Sequence, residues 1–339
     1  MSLPESNRLQ FAPGLNICRM LNGLWQVAGG HGHIDTKAAV QEMSDYHDAG
    51  FTTWDLADHY GPAEDFIGEF RSQLRQSRGA DSLERIQALT KWVPRPGRMT
   101  REVVEGNIAV SLRRMDVERL DLLQFHWWDY DDDRYLDALK HLTDLKKEGK
   151  IRHLGLTNFD TEHLRTITEH GIEIVSNQVQ FSLVDRRPEI AMIPFCQEHG
   201  IQLLTYGTVC GGLLSEYYLG RPEPGRWSLK TASQQKYKQM INAWGGWKLF
   251  QELLGCLKLI AEQYRVSIAN VATRYILDKP TVAGVILGTR LGVSEHRDDN
   301  ACSLPLALND EAHGHMRAVL GKSHDMFQSI GDCGDEYRN

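Results

Sequence analysis

Four ionisable side chains in the first third of the chain have types suited to proton transfer onto an oxygen atom. Asp55 and Tyr60 lie within the segment WDLADHYG (residues 54–61), Lys91 ends an apolar run, and His126 ends the next one. A free phenol has a pKa of about 10, and a nearby ammonium favours the phenolate and lowers that pKa. We therefore expect Lys91 to activate Tyr60 as an acid, while Asp55 keeps Lys91 charged. His126 is expected to hydrogen-bond a carbonyl oxygen or share the phenolic proton, so the predicted chemistry is protonation of a carbonyl oxygen while hydride reaches its carbon.

The elements that position these residues are short apolar runs, which predict eight buried strands. The runs cover residues 23–25, 51–55, 86–91, 120–126, 151–156, 174–179, 201–206 and 282–287. Amphipathic stretches at 36–49, 100–115, 135–148, 161–170 and 189–199 predict helices between them. Strand–helix alternation is typical of parallel sheets, and eight units without a long polar linker predict an α/β fold, a closed (β/α)₈ TIM barrel. Asp55, Lys91 and His126 then fall at the carboxyl edge of the barrel, where barrel enzymes place catalytic groups.

Length alone suggests about two domains for 339 residues. The alternation instead predicts one barrel domain over 1–339, with a core at about 18–302 and a polar C-terminal tail from about 320. Residues 9–12 and 15–17 flank a Pro-Gly pair, which predicts an N-terminal β-hairpin below the barrel. A long insertion, from 210 to about 247, follows the seventh strand and is expected to overhang the barrel mouth.

Composition excludes several functional classes. The chain has 38 Lys and Arg against 45 Asp and Glu, a net charge of −7, and so lacks the cationic field that nucleic acid or anionic lipid requires. We expect no signal peptide and no spanning helix. Six scattered cysteines without a CxxC pair predict reduced thiols in a cytoplasmic protein. His31 and His33 have no third ligand at a recognised spacing, so no metal site is predicted. The expected partner is a small carbonyl compound, and the oligomeric state stays open.

The chain resembles the aldo-keto reductases in four motifs that occur in the same order. These are DxAxxYG at 55–61, TK at 90–91, QFH at 124–126 and GKIRxxGLTNF at 149–159. The resemblance implies that Asp55, Tyr60, Lys91 and His126 form a catalytic tetrad in which Tyr60 is the acid. It also implies a nicotinamide cofactor that extends across the barrel mouth. The sequence agrees with this binding mode, because no GxGxxG fingerprint of a Rossmann fold follows the first predicted strand.

The resemblance assigns cofactor contacts residue by residue. Thr157, Asn158 and Gln178 correspond to holders of the nicotinamide carboxamide, and Tyr206 corresponds to the ring on which nicotinamide stacks. The contacts implied after the seventh and eighth strands are Gly207, Thr208, Gly211, Leu213, Gly288, Arg290, His296, Asp299 and Asn300. Backbone amides of such a glycine-rich loop can approach a diphosphate closely.

The same loops bear on the choice between NADPH and NADH. Arg290 resembles the contact to the 2′-phosphate, and Asp299 with Asn300 resembles the adenine contact. His296 stands where many NADP-using members carry an arginine, although Arg297 could also supply charge. We expect NADPH as the cofactor, with NADH as the alternative.

Tryptophans near predicted strand ends predict an aromatic substrate pocket. Trp25, Trp92 and Trp127 are assigned to it, with Trp128 beside them, and two tryptophans of the insertion, at 244 and 247, are expected to close it. The leading hypothesis is NADPH-dependent reduction of an aldehyde or ketone to an alcohol. A cofactor-binding regulatory or structural subunit, resembling potassium-channel β-subunits, is the alternative. A barrel metal hydrolase is a third class, but it does not explain Lys91 beside a tyrosine.

Overall fold

The computed structural model describes residue 3, residues 7–30 and residues 34–338. Its strands form a closed eight-stranded parallel barrel in the order β10-β3-β4-β5-β6-β7-β8-β9, which confirms the predicted (β/α)₈ fold. The barrel strands are β3 (Met20–Gly23), β4 (Thr53–Asp55), β5 (Gln87–Trp92), β6 (Leu120–Phe125), β7 (Ile151–Thr157), β8 (Ser176–Gln180), β9 (Gln202–Tyr206) and β10 (Val282–Gly288). Each predicted strand corresponds to one of these.

Helices surround the barrel, nine of those in the described residues between successive barrel strands and three after the last barrel strand. They are α1 (Thr36–Asp48), α2 (Ala63–Arg78), α3 (Arg101–Arg114), α4 (Tyr135–Lys147), α5 (Thr161–Glu169), α6 (Met192–His199), α7 (Ala232–Trp244), α8 (Gly246–Tyr264), α9 (Ile268–Leu277), α10 (Arg297–Ala301), α11 (Asp310–Leu320) and α12 (Met326–Ile330). The predicted helix at 189–199 begins at residue 192 instead, because a short 3₁₀ helix, Arg187–Glu189, precedes it. No helix of the described residues has the length and apolar character needed to cross a membrane.

A β-hairpin closes the bottom of the barrel, as predicted. Strands β1 (Arg8–Ala12) and β2 (Leu15–Cys18) pair antiparallel. Phe11, Leu15 and Ile17 from this hairpin pack against Leu21 and Leu122 inside the barrel. This apolar plug leaves the opposite, carboxyl end of the barrel as the place where polar inward-facing side chains collect.

Two sequence predictions about chain segments are wrong. The first barrel strand ends at Gly23 rather than Trp25, which instead begins a 3₁₀ helix, Trp25–Val27. The segment beyond about residue 320 is not a polar tail. It contains α12 and a 3₁₀ helix, Asp335–Tyr337, and buries Met326 and Cys333. Scattered apolar side chains anchor it, although no helical period marks the whole segment.

Candidate active site

Parallel register brings three of the four predicted tetrad residues to one edge of the barrel. Asp55 ends β4, Lys91 lies one residue before the end of β5, and His126 directly follows β6. The loop after β4 runs along β5, since the Asp58 amide donates to the Lys91 carbonyl oxygen at 3.0 Å. This path returns Tyr60 over the barrel mouth. All four residues of the tetrad line one cavity of about 710 Å³.

Lys91 and Asp55 form a buried ion pair at the base of this cavity. Lys91 Nζ donates to both Asp55 carboxylate oxygens, at 2.7 and 2.6 Å, and to the Leu56 carbonyl oxygen at 2.9 Å. Asp55 Oδ1 also accepts from Gln178 at 2.7 Å and from Gln124 at 3.2 Å. Burial lowers the pKa of Lys91, and the Asp55 carboxylate opposes that shift. Because an ammonium has three N–H donors, all of those on Lys91 are engaged.

The structure corrects the expected electrostatics of Tyr60. Burial, and then the charge of Asp55, raises the pKa of Tyr60 well above its usual value near 10. Lys91 Nζ lies 5.0 Å from the centroid of the Tyr60 ring, but Asp55 largely offsets its charge. The net pKa of Tyr60 is therefore raised rather than lowered, contrary to the sequence prediction, because burial and Asp55 outweigh the effect of Lys91. Tyr60 carries its proton at neutral pH, which is the form a proton donor needs.

His126 is neutral, and its hydrogen bond fixes which nitrogen carries the proton. Its Nδ1 lies 2.8 Å from the Thr157 carbonyl oxygen, and a carbonyl oxygen only accepts, so Nδ1 is the donor. Burial lowers the pKa of His126 to about 3. The neutral ring therefore presents Nε2 as an acceptor, and this buried atom has no hydrogen-bond partner among the described residues. The edge of the ring packs against Trp128, with centroids 4.4 Å apart.

A partly buried arginine that the sequence prediction missed holds the loop that carries Tyr60. Arg114, at the end of α3, donates to the carbonyl oxygens of Asp58 at 3.1 Å and Gly61 at 2.5 Å. It also donates to Glu64 Oε2 at 3.0 Å. Glu64 is fully buried and accepts from the Thr90 hydroxyl at 2.7 Å, beside Lys91. This chain of contacts fixes the Tyr60 loop relative to β5. Paired opposite charges separated by 50 residues give no local sequence signal.

Most of the residues predicted to contact a cofactor line the same cavity. They are Thr157, Asn158, Gln178, Tyr206, Gly207, Thr208, Gly211, Gly288, Arg290, His296, Asp299 and Asn300. Leu213 does not line it, contrary to the prediction. Its side chain is fully buried and its amide donates to the Cys210 carbonyl oxygen at 3.1 Å, while Leu214 faces the cavity. The 3₁₀ helix Cys210–Gly212 turns Leu213 into the core.

The predicted aromatic pocket is only partly correct. Trp25 and Trp128 line the cavity, whereas Trp92 and Trp127 do not. Strand residues alternate between the two faces of a sheet, so the residue after inward-facing Lys91 points outward. Trp92 accordingly packs against Phe125, with ring centroids 5.5 Å apart, in the layer between strands and helices. The same alternation places Trp127 outward from His126, where it stacks on Phe125.

The tryptophans of the insertion also lie away from the cavity. Trp244 and Trp247 are buried, and Trp247 Nε1 donates to the Arg221 carbonyl oxygen at 3.0 Å. The insertion reaches the cavity through the first turns of α7 instead, where Ser233, Gln234 and Lys236 line it. The prediction that the insertion overhangs the mouth is therefore right in position, but the tryptophans stabilise its fold.

The C-terminal segment contributes a cavity residue that the sequence analysis missed. Tyr337 lines the cavity, and its hydroxyl lies 2.9 Å from that of Tyr206. Two arginines secure the segment: Arg338 donates to the Asn158 carbonyl oxygen at 2.7 Å, and Arg187 pairs with Glu336 at 2.9 Å. The segment is thus part of the wall of the site.

A model of the Aldo/keto reductase family matches residues 19–320. The chain belongs to the aldo/keto reductase family. An NADH-specific methylglyoxal reductase of Escherichia coli (strain K12) is 23% identical, over 90% of this chain and 95% of that protein. Flagellar radial spoke protein 5 of Chlamydomonas reinhardtii is 26% identical, over 70% of this chain and 56% of that protein. A crystal structure of a thermostable aldo-keto reductase with the inhibitor epalrestat covers 94% of this chain and 98% of that one, at 22% identity and a TM-score of 0.69.

Family membership supports an oxidoreductase that uses a nicotinamide cofactor. The cavity of this aldo/keto reductase has polar side-chain atoms that could hydrogen-bond such a cofactor. The Thr157 hydroxyl is buried without a hydrogen-bond partner among the described residues, as a carboxamide contact would require. Asn158 Oδ1 accepts from the Tyr206 hydroxyl at 2.8 Å, which holds both residues in the cavity wall.

The glycines of the loop after β9 have different structural reasons, and only some of them bear on a bound phosphate group. Gly207 and Gly211 have φ of +76° and +62°, in the left-handed region. A Cβ on Gly207 would lie 2.6 Å from the Tyr237 hydroxyl, and one on Gly211 would lie 2.9 Å from Ser233 Cβ. These two glycines are therefore required by the packing of α7 on the loop, whatever the loop binds. Gly212, with φ of +87°, has open space beside it.

Of the two arginines expected to contact the cofactor, Arg290 and Arg297, one makes its contacts outside the cavity. Arg297 Nε donates to Glu295 at 2.9 Å, and its guanidinium lies 5.0 Å from the Tyr46 ring centroid, outside the cavity lining. Arg290 does line the cavity, beside His296. Of these two arginines, Arg290 is therefore the one that a group bound in the cavity could contact.

The described residues contain no group of three or more His, Cys, Asp or Glu side chains that could hold a metal ion. His31 and His33, which the sequence analysis considered, lie outside the described residues.

Proposed function

We propose that this aldo/keto reductase reduces an aldehyde or ketone to an alcohol with NADPH, and that Tyr60 donates the proton. The observation that carries the proposal is that Tyr60 and His126 line the same cavity, above the buried Asp55–Lys91 pair. Burial raises the pKa of Tyr60 and lowers that of His126, which favours a protonated phenol and a neutral imidazole there. When bound, reduced nicotinamide supplies hydride to the carbonyl carbon. The Thr157 hydroxyl and the Asn158 and Gln178 amides would hold that group in the cavity.

The chain's own residues then handle the proton. The Tyr60 hydroxyl donates a hydrogen bond to the carbonyl oxygen and transfers its proton as negative charge develops on that oxygen. General acid catalysis of this kind contributes about 10²–10⁴ in rate. Lys91, 5.0 Å from the Tyr60 ring, stabilises the phenolate that remains.

His126 has a role set by its tautomer. Since Nδ1 donates to the Thr157 carbonyl oxygen, Nε2 accepts, and it can accept a hydrogen bond from the phenolic proton or from the hydroxyl of the alcohol formed. Of the two roles predicted from sequence, this favours sharing of the phenolic proton over donation to the carbonyl oxygen.

Arg290 supports the choice of NADPH, because it is a cation at the end of the cavity where Asp299 and Asn300 also lie. The similar methylglyoxal reductase is described as NADH-specific, so the two cofactors must be compared directly. We expect a higher kcat/KM with NADPH than with NADH. Equal efficiency, or a preference for NADH, would refute this part of the proposal.

The similarity to a radial spoke protein supports a second candidate, a cofactor-binding subunit with weak or no turnover. The loss of absorbance at 340 nm, measured with NADPH and a panel of aromatic and aliphatic aldehydes, separates the two. Turnover supports the reductase. Cofactor binding measured by fluorescence quenching, without turnover of any aldehyde, supports the subunit.

A further inference from the structure

Lys236 is a half-buried cation of the cavity wall without a carboxylate partner. Its Nζ forms no ion pair with any of the described residues, and its hydrogen-bond partner there is the Tyr337 hydroxyl. Lys91 and Lys238, the other lysines nearby, are paired with Asp55 and Glu223. Lys236 is thus the lysine of this region whose charge is left uncompensated.

Aromatic rings surround this ammonium. Nζ lies 4.4 Å from the ring centroid of Tyr337, 5.0 Å from that of Tyr206 and 5.5 Å from that of Tyr237. Ring faces attract a cation, but they do not accept hydrogen bonds as an anion does. One of its three N–H groups meets the Tyr337 hydroxyl, which leaves two donors for a ligand. A partly desolvated cation with free donors is suited to binding an anionic group.

The position of Tyr337 indicates which molecule brings that group. The Tyr337 ring centroid lies 6.4 Å from those of both His126 and Trp128. Lys236 and Tyr337 therefore form the wall next to the place where the carbonyl oxygen would bind. The contacts of Glu336 with Arg187 and of Arg338 with the Asn158 carbonyl oxygen fix this wall in place.

We propose that Lys236 and Tyr337 bind the acidic group of the substrate, so that this enzyme prefers carbonyl compounds that carry a carboxylate or phosphate. This inference rests on the proposed reductase function. The same anionic chemistry exists in the diphosphate of the cofactor, and the experiment must separate the two sources.

The test compares acidic aldehydes with their neutral methyl esters. The probes are 3-formylbenzoate, 4-formylbenzoate and 6-oxohexanoate, which place the carboxylate at different distances from the carbonyl. The variants are Lys236→Met, Lys236→Arg and Tyr337→Phe. The control is Lys230→Met, which removes the same charge from an exposed position of the same insertion.

For wild type we expect at least one acid to be reduced with higher kcat/KM than its ester. In Lys236→Met the kcat/KM of that acid should fall roughly 10- to 100-fold, mainly through KM, as expected for a lost hydrogen bond to a charged group. The ester should change by less than about twofold. Lys236→Arg should restore part of the preference, Tyr337→Phe should weaken it, and Lys230→Met should leave it intact.

Two results overturn the inference while the reductase function stands. One is that every acid and its ester lose efficiency equally in Lys236→Met. The other is that the cofactor Kd, measured by fluorescence quenching, rises for that variant, which would assign Lys236 to the diphosphate. If wild type reduces none of the aldehydes with NADPH or NADH, the proposed function fails, and this inference fails with it.

Discussion

The buried ion pair between Asp55 and Lys91 gives a prediction whose magnitude follows from the structure. Both side chains are nearly inaccessible, with relative exposures of 3% for Asp55 and 2% for Lys91, and their atoms meet at 2.6 Å. Asp55→Asn would leave the Lys91 ammonium buried without a counter-charge. Lys91→Met would leave the Asp55 carboxylate buried without one. Removing one partner of a buried pair costs about 3–5 kcal/mol. The double variant contains neither charge, and we expect it to lose less than about 2 kcal/mol.

Urea unfolding followed by circular dichroism measures these losses. The m value, which is the dependence of the free energy of unfolding on urea concentration, is compared between variants. The control is Lys147→Met, which removes an exposed partner of Asp144 and should change the free energy of unfolding by less than about 1 kcal/mol. We expect all three variants of the buried pair to lose carbonyl reduction. The reasoning is refuted if either single variant unfolds within about 1 kcal/mol of wild type, or if the double variant loses the sum of the two single losses.

Three further predictions concern pH, loop position and cofactor. Because the pKa of His126 is lowered to about 3 and that of Tyr60 is raised, neither group titrates near neutrality, so kcat/KM should be flat from about pH 5 to 9. A break near the ordinary histidine pKa of about 6.5 would contradict this. Arg114→Met should lower kcat roughly tenfold or more through displacement of the Tyr60 loop, with an unchanged cofactor Kd. The exposed neighbour variant Arg113→Met should match wild type, and equal losses in both would contradict the positioning role. Arg290→Ala should raise the KM for NADPH roughly tenfold and leave that for NADH unchanged, and a parallel rise for both would argue against a 2′-phosphate contact.

Sequence patterns could predict the barrel and the place of the tetrad because both depend on local order. A short apolar run ending in Asp55, Lys91 or His126 puts that residue at the carboxyl end of a strand, and parallel pairing then brings the three together. The outward position of Trp92 could also have been predicted from the sequence. Strand residues alternate between the two faces, so the residue after Lys91 points away from the cavity that Lys91 faces.

Other features depend on contacts between distant parts of the chain. Tyr337 reaches Tyr206 across 131 residues, in a segment without helical or strand periodicity. The raised pKa of Tyr60 depends first on its burial and then on the charge of Asp55, which pairs with Lys91 from another strand. The sequence shows that these side chains are present, but not how their hydrogen bonds are distributed.

Single-turnover hydride transfer in Tyr60→Phe tests the central claim most directly. Enzyme loaded with NADPH is mixed with an aldehyde that wild type reduces, the loss of absorbance at 340 nm is followed, and the cofactor Kd is measured by fluorescence quenching. If Tyr60 is the proton donor, the rate should fall about 10²-fold or more while the cofactor Kd stays within about twofold of wild type. An undiminished rate in Tyr60→Phe would show that the proton comes from another group.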